Sequence, residues 1–132
     1  MNTPRLLPPT SAIDYAYFRD RLADPTVLDH SVAVRLHRVS LLAVAVGGPR
    51  RGGYLSVDLL LTAVAVGDLL TGRRGFPDVR VRWSPYTDTC HVVEWGEPAP
   101  EESDAARGRF YGYREAAITA FLAPSGASGG AR

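Results

Sequence analysis

Lysine is absent from the chain; all fifteen basic residues are arginine. That excludes Schiff-base catalysis, lysine-bound pyridoxal phosphate and the lysine of a phosphate-binding loop. A single cysteine, Cys90, rules out an internal disulfide, so folding does not depend on an oxidising compartment. No CxxC or HxxxH spacing occurs, and neither a metal nor a cofactor is expected. Excess charge is lacking too: fourteen acidic residues leave a net charge of +1, so an electrostatic partner must be met by a local patch. Long apolar runs are missing. The most apolar stretch, Tyr54 to Leu70, is broken by Asp58 and Asp68 and falls short of the ~20 residues of a membrane span. The opening "MNTPRLLPPT" has no signal-peptide core. A cytoplasmic protein without membrane contact is the expectation.

What is present suits one globular domain: 132 residues, 45% hydrophobic and 22% charged. Residues 1–10 read as an irregular proline-stiffened arm, 11–123 as the domain and 124–132 as a flexible Gly/Ser tail. In "AIDYAYFRDRL", Tyr15, Phe18 and Leu22 share one helical face. "SVAVRLHR" alternates as a half-buried strand, "LLAVAVGG" is apolar on both faces, and "YLSV" adds a short strand. "LLLTAVAVGDLLTG" is a helix with almost no polar face, which calls for burial or a subunit interface. "DVRVRW" and "TCHVVEW" form a hairpin around "SPYTD", and a last helix runs from Ser103 to Ala123. The expected fold is α+β: one antiparallel sheet of four to five strands in α-ββ(β)-α-ββ-α order, with helices mainly on one face.

The chemistry-bearing stretch is "RWSPYTDTCHVVEWG", residues 82–96. Cys90 and His91 are adjacent on a strand and point to opposite faces, so a dyad would need His37 or His30 brought in by the fold. Cys90 is expected to be a buried apolar residue and His91 structural. The opposing view makes the hairpin the wall of a small enzyme's pocket, with Cys90, His91, His37 or Asp88 as nucleophile or acid–base groups, and Asp88 paired with Glu94. Trp83 and Trp95 could fill the core or line a pocket, and core packing is the simpler expectation; Trp83 and Tyr86 are the ligand candidates.

Two groups of arginines point to anion recognition. In "GGPRRGG", residues 47–53, Arg50 and Arg51 sit among glycines that let backbone N–H groups converge. Neither Walker nor GxGxxG spacing is present, and a plain exposed hairpin loop explains the segment as well. Arg35, His37, Arg80 and Arg82 alternate on strands and would share a basic sheet face if the registers align. "RGRFYGYRE" superficially matches an RNA-binding sheet motif but has Arg109 where an aromatic is required, so nucleic-acid binding is not favoured. Gly108, Gly112, Ala116 and Ala120 recur every four residues, as a small-residue ridge for close helix packing.

The segments "VRLHR", "GGPRRGGYLSV", "FPDVRVRWSPYTDTCHVVEWGE" and "RGRFYGYRE" together resemble a family of small uncharacterised actinobacterial proteins, from about Leu6 to Leu122. That resemblance implies a free-standing protein and carries no activity, cofactor or catalytic residue. The element order also resembles homing-endonuclease domains, but Asp68 lies inside its helix rather than at a metal-binding end, so no nuclease is implied. The function expected is a small binding or regulatory module, a homodimer through helical faces 58–71 and 108–120. It would meet an anionic small molecule or acidic protein through Arg50, Arg51, Arg80 and Arg82. On this view, replacing Arg50 and Arg51 by alanine weakens binding and leaves folding intact.

Overall fold

The computed structural model describes residues 3–85 and 90–122. Residues 124–132, expected as a flexible tail, and Tyr86 and Asp88 lie outside the described residues. Strands are β1 (Arg5–Leu7), β2 (Val32–Arg35), β3 (Ser40–Ala43), β4 (Gly52–Val57), β5 (Arg80–Arg82) and β6 (His91–Gly96). Helices are α1 (Tyr15–Arg21), α2 (Leu60–Leu70), α3 (Asp104–Phe110) and α4 (Glu115–Leu122).

The strands make two antiparallel sheets of three, β1-β2-β3 and β4-β6-β5, where a single sheet of four to five was expected. Two features account for the split. The N-terminal arm is not wholly irregular: "RLL", bracketed by Pro4 and Pro8, supplies β1 and pairs with β2 in the register Leu6↔Val34. β4 then takes β6 as its partner, Leu55 opposite Val93, instead of continuing from β3. The expected hairpins hold: β2 pairs with β3, and β5 with β6 through Val81↔Val93.

β2 is buried on both faces rather than half-buried. Val32 and Val34 join Leu55, Val66, Leu70 and Trp95 in the larger core between the two sheets and α2. Ala33 faces the other way, with Leu42, Val44, Phe18 and Leu22, where α1 covers the first sheet. Helices therefore lie on both sides. Trp95 is the joint: fully buried, its indole Nε1–H donates to the Val44 carbonyl at 3.0 Å, while Phe76 meets its ring edge-on at 5.2 Å. Its cross-strand neighbour has to be Gly53, because a Cβ there would stand 2.6 Å from the indole nitrogen.

The expected last helix is two helices. "YGYR" closes α3 with the exchange typical of a left-handed C-terminal cap. Gly112 N–H donates to Arg109 O and Tyr113 N–H to Gly108 O, both at 3.0 Å, with Gly112 at φ 78°. The four-residue spacing of small side chains is thus no continuous ridge. Gly108 instead receives the Ile118 side chain from α4, and Gly112 presses against the Arg50 backbone.

That contact determines the character of "GGPRRGG". Arg50 is buried, 6% exposed, not the exposed gripping residue expected. Its Nη1 donates to the Tyr111 carbonyl at 2.8 Å, and the guanidinium lies 5.6 Å from the Tyr111 ring. It satisfies a carbonyl that the end of α3 leaves open, where positive charge is favoured. Arg51 N–H adds a bond to Phe110 O at 2.9 Å. The α3–α4 corner is thereby clasped to the body. α2 buries Ala63, Val66, Gly67 and Leu70 and leaves Leu60, Leu61 and Val64 exposed.

Arg50→Ala therefore cannot be silent for folding. It should cost about 3 kcal/mol in urea unfolding, the range for removing one partner of a buried charged hydrogen bond. Arg51→Ala, which loses only a surface pair with Glu97, should stay within about 0.5 kcal/mol of the parent. An Arg50→Ala protein as stable as the parent would contradict the clasp.

Candidate functional site

Of the hairpin's candidate residues, Trp83, Cys90, His91 and Glu94 are among the described residues. Cys90 is exposed, contrary to the expectation of burial, because it precedes the first paired residue of β6 and escapes the core. His91, on the opposite face, is buried, and its Nδ1 accepts the Ser84 N–H at 3.0 Å, so that nitrogen is held by the backbone. His37 lies in the β2–β3 turn of the other sheet. Trp83 is 60% exposed while Trp95 takes the core position. Among the described residues no group of three or more His, Cys, Asp or Glu side chains is arranged to hold a metal ion.

Arg80 serves the second sheet's own backbone, and Arg82 stands exposed beside Glu94. Glu94 stands opposite Arg80 in register and accepts from its Nε at 3.3 Å, with Arg82 Nη2 at 3.8 Å. Arg80 Nη1 also donates to the Asp78 carbonyl at 2.9 Å and the Gly96 carbonyl at 2.8 Å. Arg35 and His37 belong to the first sheet, so the four basic residues do not share one sheet face. Beside Glu94, Tyr54 and Tyr111 bring their rings to 5.6 Å, and burial pushes the Tyr111 hydroxyl above its ordinary pKa.

A concave feature among the described residues lies elsewhere. A cleft of about 790 Å³ is lined by three segments: residues 24–30, 46–48 and 72–78. The first is a 3-10 turn, Pro25–His30, whose N-cap Asp24 accepts the Thr26 N–H. It is tied inward by Ser31, whose hydroxyl donates to Val27 O at 2.8 Å and accepts from Ala45 N–H at 2.9 Å. The third segment follows the end of α2 and is fixed by the Val46 N–H bond to Gly75 O at 2.9 Å. Gly75, at φ 91°, sits where a Cβ would be 2.5 Å from that of Ala45.

The cleft gathers unusual backbone. Gly48, Gly72 and Gly75 are three of the five glycines with positive φ among the described residues, and Asp78, at φ 54°, is the one non-glycine residue there. For glycine such conformations cost little, whereas the left-handed Asp78 persists only where its surroundings hold it. Here Arg80 holds the Asp78 carbonyl, and Gly96 N–H holds the Pro77 carbonyl at 2.7 Å. The charged groups of the lining are Arg73, Arg74, His30, Asp24, Asp29 and Asp78. Arg73 and Arg74 are exposed and make no side-chain hydrogen bond or ion pair among the described residues. Neither was among the candidate residues read from the sequence. The signal was "GRRG" at 72–75, a second adjacent arginine pair near glycines besides the one in "GGPRRGG", 47–53.

A family model, described as a family of unknown function (DUF6302), matches residues 6–130. The chain belongs to that family. The match takes in β1, the cleft segments and the α3–α4 corner, so all of them are parts of the DUF6302 unit. No curated protein and no solved structure matches the chain. Nor is any helix among the described residues long and apolar enough to cross a membrane.

With Cys90 exposed, one thiol equivalent should react with a disulfide reagent in the native protein before any denaturant is added. A thiol silent until unfolding would place Cys90 back in the core.

Proposed function

We propose that this DUF6302 member is a binding module that takes a small polar ligand in the cleft between segments 24–30, 46–48 and 72–78, meeting an anionic group of the ligand with Arg73 and Arg74. One observation carries the reading: the fold spends most of its arginines on its own carbonyls and carboxylates, yet leaves this adjacent pair unengaged on a concave, backbone-stiffened surface. A guanidinium pair is the donor set that carboxylate and phosphate oxygens match. The volume is that of small-molecule sites.

The rest of the lining narrows the ligand class. Asp24 already accepts from Thr26, whereas Asp29 and Asp78 are exposed carboxylates that make no ion pair among the described residues. Mixed charge disfavours a polyanion and favours a molecule with one anionic group and donors elsewhere. Arg50, the first candidate for this role, is occupied by Tyr111, and Arg80 by Glu94 and two carbonyls. Homodimer formation is part of the same proposal.

The test is thermal stability against a panel of amino acids, inorganic phosphate and pyrophosphate. A ligand at a hundred times its Kd adds about 2.7 kcal/mol, several degrees in Tm for a domain of this size. At least one monoanionic probe should give such a shift and exceed pyrophosphate, and the double variant Arg73→Ala with Arg74→Ala should abolish it without lowering the ligand-free Tm. An equal shift in the double variant, or no shift with any probe, overturns the reading.

A further inference from the structure

Three further arginines that make no side-chain bond or ion pair among the described residues lie at one end of the first sheet. β1 and β2 place Arg5 directly across from Arg35, and both are exposed. Side chains in that relation have Cβ atoms about 5 Å apart, and like charges there oppose pairing. Arg38 adds a third guanidinium in the turn that follows β2, where Leu36 N–H bonds to Val39 O. None of the three makes an ion pair among the described residues. Elsewhere the fold does supply carboxylates to its surface arginines: Glu97 to Arg51, Glu94 to Arg80 and Arg82, Glu115 to Arg109 with two bonds. The first sheet's end is basic without such compensation.

A complementary segment exists in the same chain. "PAPEESD", residues 98–104, leads into α3 and exposes Glu101, Glu102 and Asp104. They likewise make no ion pair among the described residues. Pro98 and Pro100 restrict the backbone that carries them, which lowers the entropy lost on docking. Three carboxylates on one surface match three guanidiniums on another, yet no bond within the chain joins them.

We propose that the Arg5–Arg35–Arg38 end of the first sheet docks the Glu101–Glu102–Asp104 segment of a second copy of this chain. A two-fold arrangement makes both contacts at once and closes as a dimer. The surface offered is the arginine face rather than the open edge of β1, because Pro4 and Pro8 bracket a strand of three residues and leave little backbone to extend. This assembly is independent of the cleft.

The test is light scattering of the full chain in roughly 20 mM and 500 mM salt, where screening lengths differ several-fold. The expected result is a dimer at low salt that dissociates at high salt. Two charge-reversed proteins are then made, E101R/E102R and R35E/R38E, with folding checked by circular dichroism. Each alone should be monomeric at low salt, and an equal mixture should restore the dimer. If R35E/R38E does not fold, R35Q/R38Q replaces it and should be monomeric alone. A parent that is monomeric at low salt overturns the proposal. So does a dimer indifferent to salt and to both reversals, the result expected if the bare α2 face makes the contact, and so does a mixture of folded variants that stays monomeric.

Discussion

A buried guanidinium holds the two ends of this fold together. Arg50 comes from the loop that enters the second sheet, and its Nη1 bond to Tyr111 O closes the end of α3. Gly112 turns left-handed directly against the Arg50 backbone, so no larger residue fits at that corner. From the corner the chain reaches both cores. Phe110 packs over Gly52 at the start of β4, and Tyr113 joins the α1 core, its ring stacked 6.5 Å from that of Phe18. Two further backbone bonds tie the corner to α1: Ala23 N–H to Gly112 O and Arg114 N–H to Arg21 O. A charged side chain thus does work usually left to apolar packing, because its partner is a helix-end carbonyl that has to be satisfied.

An all-arginine basic complement suits this architecture. A guanidinium presents several donors in one plane and serves two acceptors at once. Arg80 does so between Asp78 O and Gly96 O while keeping Glu94, and so steadies the left-handed Asp78 at the rim of the cleft. Structural and recognition roles are therefore separable by what each arginine touches. Those bonded to carbonyls or carboxylates build the fold. Arg73 with Arg74, and Arg5 with Arg35 and Arg38, touch no such group among the described residues and face outward at a concave site and a strand end.

Local patterns were legible in the sequence. Alternation marked β2, β5 and β6, the apolar period marked α2, and both hairpins follow from turn chemistry. The partition into two sheets was not legible, because strand pairing is a non-local choice. Nothing in "YLSV" says whether it pairs with the strand before it or with one some forty residues on. β1 escaped notice because three residues between prolines carry no periodicity. The helix break at Gly112 was written in "YGYR" as a cap signal, but the regular spacing of small residues masked it. Cys90 was misplaced by composition alone: free cysteines are usually buried, and this one stands just outside the strand. The cleft could not be foreseen, since its walls come from three segments far apart in the chain.

Amide hydrogen exchange on an Arg50→Gln variant tests the clasp most directly. The account predicts that protection falls across α3 and α4 and at the Arg51 amide, while the β2–β3 pair keeps its parental protection. Parental protection throughout α3 and α4 in that variant would contradict it.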